Sequence, residues 1–185
     1  MFQVRIHGRG GQGAVTAAEM LSVAAFKEGR HAQAFPSFGS ERTGAPVVSF
    51  CRIDDKEIRT REPIQAPDAL IVQDPTLFHS VDVFQGLAAT GYVLVNTALG
   101  FEALHLADFM GRFPPGHARC VPATEMARAH VDRPVPNAAL LGGFAAVTGQ
   151  IHIECVLAAI RETFPGAIGE ANARAATAAY EHCLS

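Results

Sequence analysis

The stretch Phe2-Gln3-Val4-Arg5-Ile6-His7-Gly8-Arg9-Gly10-Gly11-Gln12-Gly13 decides the fold. Phe2, Val4 and Ile6 alternate with polar residues, the period of a strand with one apolar face. The glycines of residues 8–13 break that period. Beyond them Val15, Ala18, Leu21 and Ala25 recur near helical spacing to about Glu28, and Gly29 supplies a stop. Strand, glycine turn and helix together open a βαβ unit.

Working outward, residues 31–35 read as a second short strand. Residues 36–44 have no usable period and are dense in turn formers, so they are predicted to be a loop. Residues 46–53 are β-branched and aromatic enough for a strand, and Asp54-Asp55 is expected to turn the chain into a short partner around 57–60. That hairpin predicts a partly antiparallel sheet. Residues 69–73 and 92–96 are continuous apolar runs, as in central strands with both faces covered. A further strand is expected at 118–121, followed by helices at about 124–131, 137–149, 152–163 and 167–183. No linker or repeat divides the chain. The fold class is α/β: a single domain over 1–185, three-layer α/β/α with a mostly parallel mixed sheet and a Rossmann-like start.

Composition narrows the function classes. With 185 residues, 49% hydrophobic and 18% charged, the chain suits one globular core. No run approaches the roughly 18 apolar residues of a membrane span. Residues 2–6 lack signal-peptide architecture, so a cytoplasmic location is expected. A net charge of −3 with no basic cluster argues against nucleic acid, which needs a concentrated basic face. Cys51, Cys120, Cys155 and Cys183 are dispersed and never form C-x-x-C, so neither a cluster nor a redox pair is expected on this chain. His152-Ile153-Glu154 contains H-x-E but no P-C-x-x-C follows it. There is no H-x-x-x-H pair and no G-x-S-x-G elbow. No metal site and no catalytic side chain is expected.

Gly8-Arg9-Gly10-Gly11-Gln12-Gly13 satisfies G-x-G-x-x-G between a strand and a helix. Glycines allow a tight turn and close approach of a ligand to backbone N–H groups. The helix N-terminus behind them favours an anion, and Arg9 stands ready as an ion-pair partner. A dinucleotide site would also place an acidic residue at the end of the second strand. Here residues 31–37 contain none, and the next acid is Glu41. The loop is no P-loop either, because Lys and Ser/Thr do not follow Gly13. A tight strand–helix turn with no ligand is the plainer reading.

Residues 34–46, Ala-Phe-Pro-Ser-Phe-Gly-Ser-Glu-Arg-Thr-Gly-Ala-Pro, carry two aromatics and a Glu-Arg pair in a loop. Either the aromatics dock on their own core or the segment is a contact surface for a partner or ligand. Taken in order, His-Gly-Arg-Gly-Gly-Gln-Gly at 7–13, Gln-Ala-Phe-Pro at 33–36, and Gly-Ser-Glu-Arg-Thr-Gly-Ala-Pro at 39–46 closely resemble the γ subunit of the pyruvate:ferredoxin, or 2-oxoacid:acceptor, oxidoreductases. The match continues through Arg52-Ile53-Asp54-Asp55, Asp74-Pro75, residues 121–125 and residues 136–142, nearly the whole chain in one register. Where members of that family often carry an aromatic, this chain has Ser37 or Ser40; where they often carry Arg, it has Thr43.

The resemblance implies one subunit of an oxidoreductase complex, inactive alone, with a three-layer α/β/α fold and a mixed sheet. Such complexes decarboxylate a 2-oxoacid on thiamine diphosphate and Mg2+, pass electrons to [4Fe-4S] clusters, and transfer the acyl group to coenzyme A. None of these cofactors is expected to be bound wholly by this chain. The implied partners are α, β and ferredoxin-like δ subunits, with ferredoxin or an NAD-reducing subunit as acceptor. On this reading Gly8, Gly10, Gly11 and Gly13 present backbone N–H groups to an anion. Arg9 and Arg42 are charge partners, Gln12 and Asn96 are orienting amides, and Ser40 and Glu41 face the same site. The competing readings are a self-contained dinucleotide-binding oxidoreductase and a purely structural subunit.

Overall fold

A computed structural model describes residues 1–37, 43–133 and 135–185. The strands are β1 (Phe2–Arg9), β2 (His31–Pro36), β3 (Pro46–Asp54), β4 (Ala69–Val72), β5 (Tyr92–Asn96) and β6 (Ala118–Val121). The helices are α1 (Ala14–Lys27), α2 (Ala107–Met110), α3 (Ala123–His130), α4 (Asn137–Thr148), α5 (Ile153–Thr163) and α6 (Ala167–Leu184), with a 3-10 turn at Pro75–His79. The strands form one sheet in the order β2-β3-β1-β4-β5-β6. β1, β4, β5 and β6 pair in parallel. β3 runs antiparallel to both β1 and β2. The sheet is therefore mixed and mostly parallel.

The expected hairpin partner at 57–60 does not form: no strand lies between Asp54 and Ala69. Both edges of β3 are already taken, by β1 on one side and β2 on the other, so no edge is left for a third strand. The antiparallel character of the sheet comes from β3 itself. α2 and the 3-10 turn are too short to leave a period in the sequence.

Alternation along each strand assigns its two faces. Val4 and Ile6 of β1, Cys51 and Ile53 of β3, Ala69 and Ile71 of β4 and Leu94 of β5 meet α1, α4, α5 and α6 in the main core. α4 is buried along most of its length, which explains why it is apolar all round rather than amphipathic. Gly149, with φ of +61°, ends it in the left-handed conformation that glycine adopts without strain. On the opposite face Val72, Val93 and Val95 pack under the 3-10 turn, α2 and loops rich in phenylalanine, where Phe84 stacks on Phe78 at 5.4 Å.

This second layer also covers the polar positions of β1. Arg5 is 7% and His7 4% exposed. The Arg5 guanidinium donates to Val83 O at 2.8 Å, Gln85 O at 2.7 Å and His7 Nε2 at 3.1 Å, so one buried cation organises the 83–85 turn. Each bond to a buried charged group contributes roughly 1.5–3 kcal/mol, and orphaned carbonyls carry a desolvation penalty. Arg5→Met is therefore expected to lower unfolding free energy by about 3 kcal/mol in urea titrations. A loss below about 1 kcal/mol would show that the turn holds itself.

Candidate functional site

The loop between β1 and α1 is shaped by its own side chains. The Gln12 amide oxygen accepts from Arg9 N at 2.7 Å, and Gln12 N donates to Arg9 O at 3.0 Å, closing the turn. Gln12 Nε2 donates to Asp74 Oδ2 at 2.9 Å. The Arg9 guanidinium donates to Thr76 Oγ1 at 2.8 Å and to Gly44 O at 3.0 Å, and its Nε lies 3.3 Å from Asp74 Oδ2. Gly10 N donates to Ala45 O and Gly10 O accepts from Gly44 N, so residues 43–45 run beside the glycine loop. Burial pushes the Asp74 carboxyl up, but hydrogen bonds from Thr76 and Gln12 and the Arg9 charge outweigh it and hold the group below the usual carboxylate range.

Two glycines are required by the backbone. Gly11 has φ of +94° and Gly13 +73°, where side chains bring strain. Gly13 caps α1 without a side-chain hydrogen bond, so the N–H groups of Ala14, Val15 and Thr16 keep no intrahelical partner. The N–H groups of Gly11 and Gly13 also have no hydrogen-bond partner among the described residues. Gly8 serves packing instead: a Cβ there would stand 2.6 Å from the buried Gln73 amide oxygen.

These free donors sit on a ridge between two concavities. A hollow of about 270 Å³ is bounded by Arg9, Gly10, Gly11, Gly13, residues 14–16 and Val47. A larger cleft of about 660 Å³ shares Gly11, Gly13 and Thr16, and its far wall comes from residues 130–133, Val135 and the first turns of α6. Phe164, Ala171 and the exposed Ile168 give that cleft an apolar lining, while the exposed Arg133 and Arg174 outnumber Asp132 there. Asn137, only 3% exposed, donates to Gly13 O at 3.4 Å and accepts from Ala138 N at 2.8 Å, joining the start of α4 to the glycine loop. The arrangement suits an anionic group attached to an apolar or flat body.

The residues singled out in the sequence fall into three groups. Gly8, Arg9, Gly10, Gly11, Gln12 and Gly13 are together, but Arg9 is engaged by Asp74 and Thr76, and Gly10 N by Ala45. Asn96 lines neither concavity. Its Nδ2 donates to Gln73 O and Thr124 Oγ1, and its Oδ1 accepts from Thr124 N, which ties β5 to β4 and α3. Ser40, Glu41 and Arg42 lie outside the described residues. Phe35 docks on its own sheet, 4.9 Å from Phe50 and under Arg52; Phe38 also lies outside. Asp74, Thr76 and Asn137 were not singled out, because each reaches the loop only through tertiary contact, and Arg133 and Arg174 come to the cleft from segments far along the chain. Asp74 and Asn137 do stand in stretches that carry the family resemblance.

Two chemistries find no support in the geometry. A dinucleotide fold sets the second strand beside the first so that its terminal acid reaches the ribose. Here β3 lies between β1 and β2, and Pro36 and Ser37 close β2. A cluster does not fit the cysteines either. All four are free thiols, and burial pushes Cys51 up to about 12 and Cys120 and Cys183 to about 11. No three His, Cys, Asp or Glu gather among the described residues to hold a metal ion. No described helix is long and apolar enough to cross a membrane.

Comparison with known proteins adds a consistent set of likenesses. The family profile described as "Pyruvate ferredoxin/flavodoxin oxidoreductase" matches residues 3–182. The chain is 50% identical over 180 residues to a pyruvate/ketoisovalerate oxidoreductases common subunit gamma of Thermococcus kodakarensis, covering 97% of this chain and 96% of that one. It is 48% identical over 183 residues to pyruvate synthase subunit PorC of Methanothermobacter marburgensis, covering 98% and 97%. The crystal structure of pyruvate oxidoreductase subunit PORC from Thermotoga maritima superposes with a TM-score of 0.80 at 37% identity, covering 97% and 95%.

Proposed function

The chain belongs to the pyruvate ferredoxin/flavodoxin oxidoreductase family, and from that premise we propose that it is the γ subunit of a CoA-acylating 2-oxoacid:ferredoxin oxidoreductase, in which it supplies the wall that holds coenzyme A. The reaction converts a 2-oxoacid and coenzyme A to acyl-CoA and CO2, with two electrons leaving to ferredoxin. Thiamine diphosphate, Mg2+ and the [4Fe-4S] clusters belong, on this proposal, to the α, β and ferredoxin-like δ subunits. Bound there, they supply the decarboxylation and electron transfer.

The observation that carries the reading is the row of N–H groups at Gly11, Gly13 and the first turn of α1 that have no partner among the described residues, beside a cleft with an apolar lining and two exposed arginines. Coenzyme A pairs phosphates with an adenine ring, and the ridge offers donors to the first and the apolar lining of the cleft a surface to the second. On this proposal the chain acts by positioning the thiol carrier rather than by moving protons. One relative is named as common to pyruvate and ketoisovalerate oxidoreductases. By the same reasoning, the choice of 2-oxoacid lies with other subunits.

The test uses the assembled complex. Gly11→Ala adds a methyl group into open space but at φ of +94°, so it perturbs the donors without a packing clash. Gly13→Ala adds strain at φ of +73° and a contact of 2.6 Å with Asn137 Nδ2. Left-handed strain costs about 1–2 kcal/mol. Both variants are expected to raise the KM for coenzyme A about tenfold or more and leave the KM for the 2-oxoacid within about twofold. An unchanged coenzyme A KM in both assembled variants would sink the proposal.

A further inference from the structure

The carboxylate of Asp74 joins three segments of chain that are far apart in sequence. Its Oδ1 accepts from Thr76 N at 2.9 Å and from Thr76 Oγ1 at 2.6 Å, and its Oδ2 accepts from Gln12 Nε2 at 2.9 Å. Thr76 Oγ1 in turn accepts from the Arg9 guanidinium, which reaches across to Gly44 O. Gln12 passes the restraint to the main chain, because its amide oxygen accepts from Arg9 N. The glycine loop, the 43–45 segment and the corner after β4 are thus held by one connected set of bonds.

Charge makes the arrangement informative. A free carboxylate beside an anion site would repel the anion, and a free Arg9 would attract it. Here the two lie within 3.3 Å and offset each other. The donors left for a ligand are the N–H groups of Gly11, Gly13 and the first turn of α1, whose directions depend on the shape of the loop.

We propose that Asp74 is the positioning residue of the glycine loop, and that Arg9 is its strut rather than a ligand for the anion. The inference rests on the coenzyme A reading above. It gives Asp74 and Arg9 effects of the same sign, whereas an anion-binding Arg9 would give them opposite signs.

The test is steady-state kinetics on the assembled complex carrying Asp74→Ala, Arg9→Met and both together, with coenzyme A as the varied substrate. Each single variant is expected to raise the coenzyme A KM about tenfold, with kcat and the 2-oxoacid KM within about twofold. The double variant is expected near tenfold as well, rather than a hundredfold, because one network is broken once or twice. A lower or unchanged coenzyme A KM in Asp74→Ala, with a higher one in Arg9→Met, overturns the inference and makes Arg9 the ligand. Equal losses for coenzyme A and the 2-oxoacid overturn it too, since they mark general damage. If Asp74→Ala does not assemble, Gln12→Met breaks the same link to the loop without touching Asp74. It is expected to raise the coenzyme A KM severalfold, and an unchanged value overturns the inference. The glycine variants separate this idea from its premise. If Gly11→Ala and Gly13→Ala shift the coenzyme A KM while the Asp74 and Gln12 variants do not, the positioning role alone falls. If none of them shifts it, the coenzyme A reading falls as well.

Discussion

Gly142→Ala is expected to cost about 3 kcal/mol of unfolding free energy, a large share of the roughly 5–15 kcal/mol that holds a typical domain folded. α4 approaches α6 so closely that a Cβ on Gly142 would stand 1.9 Å from Ala176 O and 2.6 Å from Ala176 C. Both atoms are backbone, so relief requires moving one helix off the other. α4 has no room to retreat, because its next residue, Gly143, already faces Leu94, Val121 and Cys183. Gly143→Ala is the control. Its nearest contact would be Leu94 Cδ2 at 3.1 Å, the end of a side chain that can shift. Alanine also gains nearly 1 kcal/mol of helix propensity over glycine. Urea titration should therefore place Gly143→Ala within about 1 kcal/mol of the parent and Gly142→Ala far below it. Similar midpoints for the two variants would refute this account of the α4–α6 contact.

Acid is expected to weaken the fold through His7. Burial, followed by the nearby Arg5 charge, pulls its pKa from 6.5 down to about 3, so the folded state keeps the ring neutral. The unfolded chain takes up the proton first. Stability from this group is full above about pH 6.5 and is lost as pH falls toward 3. Each pKa unit corresponds to about 1.4 kcal/mol, so the whole window amounts to about 5 kcal/mol at most. His7→Gln keeps an acceptor for Arg5 Nε but cannot be protonated there. Unfolding free energies at pH 7, 6, 5 and 4 should converge or cross as pH falls, with the parent losing more. Parallel curves across that range would place the acid sensitivity elsewhere. The depressed carboxyl of Asp74 acts in the same direction at lower pH, being lost as pH falls through its lowered value, and both proteins share it.

Much of the element pattern was legible because it depends on neighbours along the chain. The alternation at Phe2, Val4 and Ile6, the apolar runs before Gln73 and at 92–96, and the helices from Ala123 onward all follow from local period. The hairpin expected at 57–60 failed for a different reason. Turn chemistry at Asp54-Asp55 says that the chain bends, and says nothing of whether β3 has a free edge. Arg5 and His7 illustrate the same limit. Their alternation with apolar residues marks the second face of β1 correctly, but a layer formed by residues far along the chain covers that face. In the site, the glycine loop was legible by spacing, and Gly11 and Gly13 do adopt positive φ. The occupation of Arg9 was not legible, since its partner Asp74 lies in a stretch that only the β1–β4 pairing brings alongside.

Residues 2–13 by themselves determined that a strand passes through a glycine turn into a helix, and their company with residues 33–46 determined the family. Backbone conformation and hydrophobic period are local properties, set within a few residues. Only the tertiary structure decided that β3 separates β1 from β2, that Arg9 pairs with Asp74, and that Gly11 and Gly13 line a cleft together with the first turns of α6. Those outcomes depend on which distant segments compete for the same edge, charge or volume, and that competition is settled only when the chain has packed.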